Sequence, residues 1–233
     1  PKEYSGTYGT NGFYLPFKND YTVEGFSTVT YKGSGGANYI GGVGFKPDLT
    51  WIKSRNAANY HNLHDILRTP SMRLSSNATD AENNGSAGGA TPQFSSFNND
   101  GFSLSTSNEN TNSSSYNYAA WNWDMGADTP TGFGCVTYTG SSSDLSVGGM
   151  TFSPDLVWIK RRNGVAEHFL IDSVRGNRRI LNPDDTNAEL DRSYFKSFDP
   201  DGFSVESGVS NSNNNGDTYV AWGWDMGGTS VAN

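Results

Sequence analysis

An aspartate stands three residues ahead of an arginine twice in this chain, Asp65 with Arg68 and Asp172 with Arg175. Such a pair could serve as an acid beside an activating cation. Its recurrence favours a clamp, because a bidentate arginine–carboxylate contact fixes chain geometry without any chemistry. His61 and His64 lie close together, but the second copy has Ile171 opposite His64 and no Cys or acidic partner at a ligand spacing, so no metal is expected. His168 reads as an ordinary surface histidine. The 6 tryptophans carry the strongest hint of binding, since indole faces stack on pyranose rings while amides and carboxylates hold the hydroxyls. Their paired placement inside strands favours packing on sheet faces. Within that limit Trp123, Trp224, Tyr60 and His61 are the candidate ligand-binding residues.

No catalytic residue is assigned. Glycoside hydrolysis needs two carboxylates at a defined separation, and 24 acidic residues guarantee candidate pairs without identifying one. The patterns GxSxG, HExxH, GxxxxGKS/T and CxxC are absent. The acid-rich NPDDTNAELD lacks the spaced carboxylates of a calcium loop. No cofactor is called for.

The elements that must position these residues come in duplicate. PDLTWIKSRN, Pro47 to Asn56, returns as PDLVWIKRRN, Pro154 to Asn163, and the same offset aligns GFSTVTY with GFGCVTY and NLHDILR with FLIDSVR. A repeat this long implies a duplicated domain. Leu49, Trp51 and Lys53 alternate with Thr50, Ile52 and Ser54, the period of a strand. Asp100-Gly101 and Asp201-Gly202 are hairpin turns. No segment sustains a helical period, although Asn62 to Leu67 has room for one turn. The expected fold is all-β, two tandem antiparallel β-sandwich, jelly-roll-like modules at 25–130 and 131–233 after a connector at 1–24. Trp51 and Trp158 are expected to anchor the cores of their own modules. Ala81 to Gln93, where the first copy is longer, reads as an exposed loop. Lys53, Arg55, Lys160, Arg161 and Arg162 make a basic strip whose alternate members should face solvent. Binding, if present, is expected where the copies differ, in Ala57 to His64 and Ala81 to Gln93.

Composition narrows the partners. With 24 acidic and 16 basic residues the formal charge is -8, which excludes nucleic acid phosphates as the main partner. Cys135 is the only cysteine, so no intramolecular disulfide framework exists, and folding in a reducing cytosol followed by release is expected. No apolar run is long enough for a membrane span. Pro1 in place of Met leads us to expect a piece of a longer chain.

The ordered series PDLVWIKRRN, FLIDSVRG, DGFSV and GDTYVAWGWDMGG resembles a repeated domain of phage tail-fibre-like and other virion proteins of marine phages. YGTNGFYLPF is similar to the junction that follows a lectin-like sandwich in such proteins. The resemblance covers both repeats and carries no catalytic residues. It implies a non-enzymatic structural protein of the virion, assembled in the host cytoplasm as a tail fibre or as a head or tail decoration. Its implied partners are other virion proteins and a host-surface glycan, and by analogy with fibres it should be a homo-oligomer. Two other readings compete, a glycan depolymerase acting through paired carboxylates and a soluble carbohydrate-binding lectin.

Overall fold

A computed structural model describes residues 25–84, 92–125 and 132–226. The connector expected at 1–24 lies outside them. The first module contains β1 (Phe26–Lys32), β2 (Asn38–Ile40), β3 (Leu49–Ser54), β4 (Asn62–Asp65), β5 (Leu74–Ser75), β6 (Phe94–Asn98), β7 (Gly101–Leu104) and β8 (Asn117–Trp123). The second contains β9 (Phe133–Thr139), β10 (Leu145–Gly148), β11 (Leu156–Arg161), β12 (Phe169–Asp172), β13 (Arg179–Ile180), β14 (Leu190–Asp191), β15 (Phe195–Asp199), β16 (Gly202–Val205) and β17 (Thr218–Trp224). The described residues hold no helix, and the protein is all-β, two tandem antiparallel β-sandwich modules. NLHD forms β4 rather than a helical turn, because it pairs with β3 on one side and β5 on the other.

In the first module the large sheet runs β1-β8-β3-β4-β5 and the small one β2-β7-β6; in the second, β12-β11-β17-β9 faces β10-β16-β15. Each sandwich closes over its own core. Ile52 and Tyr118 meet Phe94, Phe102 and Leu104 in the first, and Val157, Ile159 and Tyr219 meet Phe195, Phe203 and Val205 in the second. The small sheets depend on a tight hairpin. Gly101 has φ +135° and Gly202 φ +146°, and a Cβ there would lie 2.0 Å from the Ile40 carbonyl oxygen or 2.1 Å from that of Val147. The preceding aspartates tie the hairpin down, with Asp100 accepting from the Gly42 and Gly44 N–H groups and Asp201 from those of Gly149 and Thr151. Gly101→Ala should therefore cost roughly 2 kcal/mol of strain. A lowered urea midpoint at constant slope would register it.

The opposite faces of the two large sheets pack on each other. Leu49, Trp51, Leu63, Leu74 and Trp123 from the first module join Phe133, Cys135, Trp158, Val220, Trp222 and Trp224 in one apolar cluster. Period 2 explains the division, since Ile52 and Val157 face inward while their neighbours Trp51 and Trp158 face the seam. Trp51 and Trp158 are thus not the anchors of separate cores; they meet edge to face at 5.8 Å across the seam. Trp123 meets Trp224 in the same way at 5.9 Å. Residues that match in the repeat face each other, as across a two-fold axis.

The remaining seam contacts are one-sided. Trp222 Nε1 donates to Asp65 Oδ2 at 3.2 Å, and Arg162 pairs with Glu82 at 3.0 Å. The matching Glu189 turns instead to Arg175 and Arg179 of its own module. His168 is fully buried in the seam and not on the surface, because the first module's Ser75 to Thr79 segment covers it. Lys160 leaves the expected basic strip for the same reason. Within Ala81 to Gln93 the Glu82 side chain is turned inward, 9% exposed between Arg68 and Arg162, while Asn83 beside it is exposed as expected. The rest of that expected loop, 85–91, lies outside the described residues.

Candidate functional site

Both repeated Asp/Arg pairs are clamps. In each, the arginine Nε sits 2.6 Å from the aspartate Oδ2 while the arginine N–H donates to Oδ1, closing the turn after β4 or β12. Asp48 and Asp155 hold the chain after β8 and β17, accepting from the Met125 and Met226 N–H groups. Burial pushes the Asp48 carboxyl up to about 6 against that hydrogen bond, and the neighbouring Asp124 carboxyl raises it further.

A broad concavity opens on the first module. Lys53 on β3, Tyr60 and His61 before β4, Asn77 after β5 and Asn108, Glu109 and Asn110 before β8 line a cleft of about 890 Å³. Backbone hydrogen bonds brace its walls. Asn59 Nδ2 donates to the Glu109 carbonyl (2.7 Å), the Tyr60 N–H to Asn110 Oδ1 (3.2 Å) and the His61 N–H to Asn77 Oδ1 (2.9 Å). Lys53 Nζ donates to the Ala57 carbonyl at 3.0 Å. Tyr60 is 44% exposed, with the Arg73 guanidinium 5.8 Å from its ring. Burial, followed by the nearby Lys53 charge, lowers the basicity of His61.

A second cavity of about 360 Å³ adjoins the first through Lys53, His61 and Asn77, and its walls are Trp51, Trp121, Trp158 and Pro183. Trp51 and Trp121 lie with ring centroids 5.1 Å apart, and Trp51 Nε1 donates to Ser76 Oγ. The composite cleft therefore joins indole and phenol faces to amides, one cation and, in Glu109, one carboxylate. That lining suits a polyhydroxylated ring with an apolar face.

The second module has a smaller hollow at the matching place, about 320 Å³, lined among others by Glu167, Tyr194, Ser210 and Asn211. Glu167 stands where the first copy has Tyr60, and Asn211 Nδ2 reaches its carboxylate at 3.3 Å. This hollow has no tryptophan in its lining.

Of the sequence-predicted residues, Tyr60 and His61 come together in the cleft. Trp123 and Trp224 lie elsewhere, packed with Phe133 at the seam and outside the lining of these cavities. Trp121 and Trp51 were missed as cleft residues. Trp121 shares its strand face with Trp123, so alternation gives no way to separate them. The amides Asn77, Asn108 and Asn110 gave no signal among the many Asn of the chain.

No three His, Cys, Asp or Glu side chains converge on a metal-sized site among the described residues. No helix among them is long and apolar enough to cross a membrane. Residues 22–134 and 128–233 each match one protein family, described as a domain of unknown function (DUF7483). No curated protein and no solved structure matches the chain.

Proposed function

We propose a function for this chain, which belongs to the DUF7483 family of domains of unknown function, from its cleft and its motifs. It is a non-enzymatic structural protein of a phage virion, a tail-fibre or head or tail decoration module, and its first module contacts a host-surface glycan. The observation that carries the binding role is the composite cleft, where the faces of Tyr60, Trp51 and Trp121 adjoin Asn59, Asn77, Asn108 and Asn110. Aromatic faces take the apolar side of a sugar ring and the amides take its hydroxyls. The virion role is supported by the motif series alone. Among the described residues Glu109 is the only carboxylate in the cleft lining, which favours holding a glycan over cleaving one by a carboxylate pair.

Titration of the protein against a panel of host-surface polysaccharides tests the binding role. Tyr60→Ala and Trp121→Ala should each bind about tenfold more weakly, with the circular dichroism spectrum of the parent. Unchanged affinity in both variants would sink the assignment of this cleft. Sugar release from the panel would favour the depolymerase. Labelled protein missing from purified virions would remove the structural role.

A further inference from the structure

The duplication places two versions of one side-chain group in a single molecule. Trp51, Lys53, His61 and Trp121 of the first module match Trp158, Lys160, His168 and Trp222 of the second. In the second module the group is filled by protein. The Ser75 to Thr79 segment presents backbone carbonyls to it, Ser75 and Ala78 to His168 Nε2 at 3.1 and 3.2 Å and Thr79 to Lys160 Nζ at 2.9 Å. Trp158 Nε1 donates to His168 Nδ1 at 2.9 Å, which assigns the ring proton to Nε2 and aims it at those carbonyls.

In the first module the adjoining 360 Å³ cavity takes the place of that segment. The module 2 counterpart of Ser76 is Pro183, which stands at the cavity wall. Asn182 beside it donates to the carbonyl of His168, holding this loop on its own module. Among the described residues Lys53 Nζ donates only to carbonyls of the segment between β3 and β4, Ala57 at 3.0 Å and Asn59 at 3.4 Å. The indole N–H of Trp51 goes to Ser76 Oγ. No hydrogen bond is made to the His61 ring among the described residues.

We infer that the Trp51, Lys53, His61 and Trp121 group is an amide-carbonyl site, and that the glycan it takes carries N-acetylated sugars. This rests on the glycan reading of the cleft. An acetamido pyranose presents one amide carbonyl beside an apolar ring face, the two features that the filled copy accommodates as backbone carbonyl and tryptophan packing. The lining carries one cation, Lys53, and one carboxylate, Glu109.

Calorimetric titration of the full chain with tetramers of N-acetylglucosamine, glucosamine and glucose separates this inference from the reading beneath it. The acetylated tetramer should bind about tenfold more tightly than the other two, the worth of a well-made hydrogen bond. His61→Ala should erase that preference; His61→Gln, which retains an N–H donor, should restore part of it. Equal affinity for the three tetramers, lost in Trp121→Ala, overturns the amide assignment and leaves the glycan reading standing. Failure to bind any of them, with other glycans still held by the cleft, overturns it too. Failure with every glycan overturns both.

Discussion

Arg68→Ala is expected to destabilise the protein by roughly 3–5 kcal/mol, the range for breaking a buried ion pair from one side. The Arg68 side chain is 0% exposed. It pairs with Asp65 at 2.6 Å and Glu82 at 3.2 Å, donates to the Leu63 carbonyl and lies 5.6 Å from the Trp222 ring of the other module. Its loss leaves the Asp65 carboxylate at 0% exposure with only neutral donors, among them the Trp222 indole. Arg175→Ala supplies the comparison. Arg175 makes the same set of bonds, to Asp172, Glu189 and the Leu170 carbonyl, but its side chain is 25% exposed. Water can take over there, and the loss should be about 1 kcal/mol. Urea unfolding of the two variants measures the difference. Equal losses would mean that the turn clamp, and not burial in the seam, sets the value of Arg68.

The same contrast explains what the sequence could reveal. The repeat and the strand alternation are local, so the two sandwiches, the hairpins at Asp100-Gly101 and Asp201-Gly202 and the Asp/Arg clamps were legible. What covers the outer face of each large sheet is not local. Alternation places Trp51 opposite Ile52 but does not say that another module lies over it. One signal existed: the YVAWGW stretch of β17 is apolar at successive positions, with Tyr219 to Trp222 all buried, as expected of a strand covered on both faces. His61 and His168 are one aligned position in two environments, and the difference comes from Ser75 to Thr79, a segment of the other repeat. Tyr60 was legible because the copies differ there. Trp121 was not, since only its place along β8 puts it in the cleft and Trp123 at the seam.

Acid should open the protein before it protonates most carboxylates. His64 and His168 are both held neutral, each lowered to about 3 chiefly by burial. The causes are specific. His64 stacks on Phe94 at 4.5 Å with Arg68 and Arg73 nearby, and His168 accepts the Trp158 N–H at Nδ1 with Lys160 beside it. A second proton on His168 would set two donors against each other. The unfolded chain takes up both protons below the ordinary histidine value of about 6.5, whereas the folded chain does not until about 3. The stabilisation is therefore complete above pH 6.5 and drains as pH falls, by roughly 3 kcal/mol per histidine at pH 4.5. Asp48 works in the opposite sense. Its folded value of about 6 lies above its unfolded one, so it adds stability at low pH and loses it as pH rises through 4 to 6. It is half-buried, solvent screens it, and the two buried histidines dominate. The measurement is the urea midpoint at pH 7 and pH 4.5, followed by tryptophan emission because Trp158 and Trp222 share the seam with His168. His168→Gln should lower the midpoint at pH 7 and flatten its fall toward pH 4.5, since an amide offers the same donor without titrating. A fall as steep as the parent's would show that the seam histidine does not govern acid opening.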